Sequence, residues 1–143
     1  MRGIGDDAAV VRSRPLCVTS VDTMVQDVHF RLQDGWADAE EVGHRAMAGA
    51  LSDLAAMGAE AGEAYLALVL PQGFEEERAL ALVRAAGVLA EACATTILGG
   101  DVSSGPALIV SVTAVGWAEH ERRLIARDGA QAGDLIGVTG SLG

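Results

Sequence analysis

Five short acidic or glycine-bracketed clusters punctuate the sequence: Gly5-Asp6-Asp7, Ser20-Val21-Asp22, Ser52-Asp53, Gly99-Gly100-Asp101 and Gly133-Asp134. Each lies at the edge of an apolar run. Carboxylates at the ends of buried elements, unlike those strung along a solvated face, can converge on one point and hold hard divalent cations through oxygen. The pattern outlines a site for magnesium and a nucleotide.

The clusters differ in what they offer. Gly5-Asp6-Asp7 precedes the apolar stretch 8–11, so one carboxylate can face inward while the other meets solvent, although a simple turn has the same composition. Ser20-Val21-Asp22 closes a buried strand with a hydroxyl, a backbone carbonyl and a carboxylate, the mixed oxygen set that magnesium accepts. Asp53 falls within the apolar helical stretch 50–57, where a charge costs several kcal/mol unless it is paired or metal-bound. Its partner is then a cation or an arginine such as Arg45. Gly99-Gly100-Asp101 follows a strand, where paired glycines let backbone N–H groups approach a phosphate closely or simply turn a hairpin. Arg127 can donate to a nucleotide phosphate or base, or serve as a surface charge. His29 lies in the loop after Asp22, within reach of a substrate, whereas His44 and His120 read as structural or solvated.

The elements that must position these groups alternate between strand and helix. Residues 16–21 form a short buried strand, followed by an irregular stretch over 22–35. Asp38 and Glu41 make a capping box that opens a helix with apolar positions Val42, Ala46, Met47, Ala50, Leu51, Leu54 and Met57, and Gly58 ends it. Residues 63–70 form a strand broken by Pro71-Gln72-Gly73. A second helix runs from about 74 to 94, with Glu75, Glu76 and Glu77 complementing its dipole. Residues 95–98 make a short strand entering Gly99-Gly100-Asp101, 107–115 is the longest strand candidate, and 134–139 is another.

Composition excludes several functions. The chain has 143 residues, half of them hydrophobic, enough for one domain with a real core. No apolar run is long enough to span a bilayer and no signal-peptide layout opens the chain, so a cytoplasmic protein is expected. The formal net charge of −10 speaks against wrapping nucleic acid and suits metal ions as partners. All ten basic residues are arginine, which excludes a lysine-bearing phosphate loop, a protein-kinase β3 lysine and a Schiff base. Cys17 and Cys93, far apart and outside any metal spacing, are expected to be reduced, buried thiols.

The strings GIGDDAAVV, TSVDTMVQDVHF, GHRAMAGALSDLAAMGA, ILGGDVSSGP and IARDGAQAGDLIGVTGSLG resemble the thiamine-monophosphate kinase family, in that family's order and spacing. The family belongs with aminoimidazole ribonucleotide synthetase, selenophosphate synthetase and the hydrogenase-maturation dehydratase, whose ATP fold uses no lysine-bearing phosphate loop. By this resemblance Asp7, Ser20, Val21, Asp22, Asp53 and Asp101 hold several Mg2+ ions; Val21 stands where the family often has threonine, so its ligand is kept if the carbonyl binds the metal and lost if the hydroxyl does. Gly100, Asp101 and Arg127 contact ATP, and His29 contacts thiamine monophosphate.

The implied fold is α+β: a four-stranded, largely antiparallel sheet with helices on one face, centred on strands 64–70 and 107–115. It pairs with a second copy through the sheet to make a homodimer. The implied reaction is direct transfer of the γ-phosphoryl of ATP to thiamine monophosphate, giving thiamine diphosphate. The alternatives are another ATP-using member of the superfamily, or a fragment that binds nucleotide and metal without turnover. The resemblance covers only the family's N-terminal domain over 1–143, starting late and without the C-terminal α/β domain, so the isolated chain is expected to be inactive.

Overall fold

The computed structural model describes residues 3–5, 7–32, 35–138 and 140. Four strands and two helices follow in the order β1 (Leu16–Val25), α1 (Ala39–Ala56), β2 (Glu60–Pro71), α2 (Glu76–Ala92), β3 (Thr96–Gly105) and β4 (Ile109–Ala118). The sheet order is β1-β4-β2-β3. β4 is antiparallel to both its neighbours, and β2 runs parallel to β3 through the α2 crossover. The expected α+β class and largely antiparallel sheet are present, with β2 and β4 at its centre.

β4 shows why the sheet has one covered face. Its even positions Val110, Val112 and Ala114 are fully buried, while Ile109, Ser111, Thr113 and Val115 between them are only half-buried. The period of two therefore turns one face of the strand to the core and leaves the other open. Ala64, Leu66 and Leu68 of β2 continue the buried row, and both helices lie over it. Each fully buried leucine or valine here contributes about 1.5–3 kcal/mol relative to an exposed one.

The helix α1 starts where the sequence predicts. Asp38 accepts from the Glu41 amide at 2.8 Å and its own amide donates to Glu41 Oε2 at 3.0 Å, which closes the capping box. The helix ends at Ala56, and Gly58, with a φ of 70°, carries the chain away. Gly43 lets α1 and α2 touch, because a Cβ at that position would overlap the carbonyl of Leu82.

Several expectations need correction. β1 continues to Val25, so Asp22 lies inside a strand and not at the head of a loop. Gly99-Gly100-Asp101 is neither a turn nor the end of a short strand; it lies in the middle of β3. Residues 134–138 form no strand: Leu135 and Ile136 are 98% and 97% exposed and pair with nothing in the sheet, while Thr139 lies outside the described residues. Cys17 and Cys93 are both exposed. Cys17 takes an outward position of β1, and Cys93 caps α2. Among the described residues no helix is long and apolar enough to cross a membrane.

On the open face, Glu63 is buried and accepts from Trp117 Nε1 at 3.2 Å. Nearby Tyr65, the chain's single tyrosine, has its phenol pushed up, first by burial and then by the charge of Glu63. The unfolded phenol ionises before the folded one, so the contribution to stability is complete below the unfolded value and is lost as pH rises through the folded one. Ultraviolet titration should place Tyr65 above an ordinary tyrosine, and Glu63→Gln should lower the midpoint without normalising it, since burial remains. Gly43→Ala should destabilise the chain by about 1–3 kcal/mol in urea unfolding, because a backbone carbonyl must move to admit the methyl.

Candidate functional site

The seam between β1 and α1 brings several of the expected residues together. Ser20 and Asp22, two apart on a strand, share one face. Gly49 and Asp53, four apart on a helix, share another. The steps match in length, about 6.7 Å along the strand and about 6 Å along the helix. Ser20 therefore meets Asp53 while Asp22 meets Gly49. The Ser20 hydroxyl donates to Asp53 Oδ2 at 2.6 Å, and the Thr23 amide donates to Asp22 Oδ1 at 2.8 Å. The other Asp22 oxygen lies against Gly49, in the space a Cβ would need.

Asp53 differs from its expected setting. It is exposed, not buried, and its partner is Ser20, not Arg45. It also lies in the last turn of α1, which carries no basic residue. The helix dipole there adds negative potential to the carboxylate, so a cation is favoured over an anion.

The segment after β4 returns to this seam. Ile125 donates its amide to the Met57 carbonyl at 3.0 Å, which sets Arg127 beside Ser20, Val21 and Asp53 in a cleft of about 510 Å3. A guanidinium at that mouth provides a planar fork of donors for phosphate oxygens.

Asp7, Gly100 and Asp101 form a second group, lining a cleft of about 650 Å3 against β3; Asp6 lies outside the described residues. Gly100 has no room for a side chain, because a Cβ would overlap the Leu66 carbonyl next to the register shift of β2 on β3. Gly100 is joined to Asp22 by the cross-strand row Gly100–Leu66–Val112–Asp22. Three strand spacings, roughly 14 Å, therefore separate the two groups. Among the described residues no three His, Cys, Asp or Glu side chains gather closely enough to hold a metal ion. His29 lines a third cleft, of about 370 Å3, with Arg31, Trp36 and Arg45. Gly133-Asp134 joins none of these groups; the Asp134 carboxylate caps its own turn by accepting from the Gln131 amide at 2.8 Å.

Sequence reasoning passed over Gly49, Arg31 and Trp36, and offered Arg45 only as a partner for Asp53. Gly49 carries a signal, since a glycine inside a helical pattern costs about 1 kcal/mol relative to alanine and calls for a packing reason. Arg31 and Trp36 carry none by spacing.

The fold belongs to a known class. The family described as AIR synthase related protein, N-terminal domain, matches residues 5–118, and this chain belongs to it. Its relatives within that class include proteins named thiamine-monophosphate kinase. That of Bacillus subtilis is 35% identical over 99% of this chain and 43% of its own length. That of Mycobacterium tuberculosis (strain CDC 1551 / Oshkosh) is 39% identical over 99% of this chain and 42% of its own. The chain thus spans less than half the length of these curated relatives.

Among solved structures, thiamine-monophosphate kinase from Stenotrophomonas maltophilia K279a superposes with a TM-score of 0.73, at 36% identity over 90% of this chain and 37% of that one. AaThiL complexed with AMPPCP and TMP gives 0.73 at 26% identity, over 80% of this chain and 35% of that one. Hydrogenase maturation protein HypE in complex with ATP also reaches 0.73, over 89% of this chain and 37% of that one, but at 20% identity it shows a shared fold alone.

Two glycines of the site should respond differently to an added methyl. Gly49→Ala needs only a carboxylate to swing aside and gains helix propensity, so its stability in urea should stay within about 1 kcal/mol of the parent. Gly100→Ala needs a strand backbone to move and should lose about 1–3 kcal/mol.

Proposed function

We propose that this chain is the nucleotide- and magnesium-binding part of a thiamine-monophosphate kinase, which transfers the γ-phosphoryl of ATP to the phosphate of thiamine monophosphate. The products are thiamine diphosphate and ADP. The observation that carries the reading is the β1–α1 seam, where Ser20 meets Asp53 beside Arg127 and Asp22 lies against Gly49 one helical turn away. The chain's likeness to thiamine-monophosphate kinases over nearly its whole length supports the choice of acceptor.

The donors fit magnesium. Ser20 and Asp53 present oxygen donors to the cleft at the seam, neither histidine nor cysteine is among its described lining residues, and hard cations take oxygen ligands. Ser20, Asp22, Asp53 and the Val21 carbonyl would hold magnesium at one edge of the sheet, and Asp7 and Asp101 would hold a separate ion at the other. Bound there, magnesium would supply charge that offsets the repulsion between two anionic reactants.

The remaining work falls to the chain itself. A phosphomonoester is already mostly ionised at neutral pH, so its attack on the γ-phosphorus needs no general base. Ser20 and the Thr23 amide fix the two seam carboxylates by hydrogen bonds. Arg127, Gly100 and Asp101 receive the nucleotide, and His29 receives the acceptor.

The two acidic groups lie at opposite edges of one sheet, which suits a site completed by a second copy and by further chain such as the relatives possess. The open sheet face, with half-buried Val25, Ile109 and Val115 and exposed Val21, suits a homodimer in the cytoplasm. Light scattering should show a dimer at micromolar concentration, and a stable monomer would count against it.

The nucleotide reading is tested by calorimetric titration with a non-hydrolysable ATP analogue, with and without magnesium. Binding should require magnesium and should weaken at least about tenfold in Asp53→Asn, equivalent to about 1.4 kcal/mol. Equal binding without magnesium, or no effect of the substitution, would sink the assignment.

A further inference from the structure

At the end of β1 the chain reverses through residues 26–30, with Asp27 at a φ of 63°. The turn folds the imidazole of His29 back over the strand end. The His29 amide donates to the Val25 carbonyl at 2.9 Å, and the Val25 amide donates to His29 Nδ1 at 3.0 Å. A backbone amide has no lone pair to offer, so Nδ1 must be the acceptor. In a neutral imidazole the single proton is then on Nε2.

The cleft beside this ring has an unusual charge for so acidic a chain. Two guanidinium groups, Arg31 and Arg45, line it, and Asp27 is the one carboxylate among its described residues. Gln26 Nε2 donates to Asp27 at 3.4 Å, occupying part of that negative charge. Arg31 lies 5.8 Å over the ring of Trp36, which is 74% exposed, so the guanidinium is held over a flat apolar surface.

We propose that the Val25 amide locks His29 in the Nε2–H tautomer, making this ring a fixed donor that, with Arg31 and Arg45, selects ligands by an oxyanion such as a phosphate group. The inference rests on the acceptor-binding reading above and adds its polarity: the ring gives a hydrogen bond to the ligand and cannot accept one. A phosphorylated ligand answers these donors with a charged acceptor, and hydrogen bonds between charged groups are the stronger ones; its dephosphorylated counterpart offers no such acceptor.

The test is long-range proton–nitrogen NMR of the histidine rings in this chain, free and with thiamine monophosphate or thiamine as probes. Expected are an unprotonated His29 Nδ1 and a protonated Nε2 in the free chain, with a change at Nε2 on adding thiamine monophosphate and none with thiamine. A proton on Nδ1 in the free chain overturns the proposal. Thiamine monophosphate perturbing other residues but not His29 overturns this inference while leaving the proposed function standing. No perturbation anywhere at saturating probe counts against both. As a second arm, His29→Gln keeps an amide donor near the place of Nε2, whereas His29→Asn reaches only the place of Nδ1. Asparagine should therefore weaken thiamine monophosphate binding about tenfold more than glutamine, and equal or reversed losses would refute the donor role.

Discussion

The match in length between two strand residues and one helical turn governs the candidate site. Were α1 rotated by a single residue, Asp53 would leave Ser20 and Gly49 would leave Asp22. The rotation is fixed by the buried stripe of α1, in which Val42, Ala46, Met47, Ala50 and Leu54 are at most 2% exposed. The core therefore sets the register of the polar seam. Packing close to crystalline density tolerates little sliding, so hydrophobic burial positions groups that it does not touch.

Much of this was legible from residue order. The capping box at Asp38 and Glu41, the helical stripe of α1 and the apolar strands β2 and β4 follow from periods of 3.6 and 2. The same stripe also bears on the polar seam. Gly49 and Asp53 come seven residues after Val42 and Ala46, which places them at the flank of that stripe facing β1, and there Asp53 meets the Ser20 hydroxyl in place of the core. Its apolar neighbours in sequence are not its neighbours in space.

β3 was less legible because local preference and tertiary pairing disagree there. Glycine, aspartate and serine are poor strand formers, and a stop at Gly99 is the reasonable local expectation. Pairing with β2 from Glu63 to Pro71 overrides it. The opposite error occurs at residues 134–138, where an apolar composition suggests a strand but none of the sheet strands pairs with it. The grouping of Arg31, Arg45 and Trp36 around His29 depends on where α1 starts relative to the turn after β1, which no spacing in the sequence encodes.

The weak strand-forming character of β3 also bears on how the molecule keeps to itself. An edge strand presents a row of unpaired backbone groups that can recruit other chains into fibrils. Here the edge strand carries Gly100, Asp101, Ser103 and Ser104 around a single exposed valine, Val102, a run poor in the β-formers that such stacking needs. The residues that make β3 hard to foresee thus guard the sheet against aggregation at that edge.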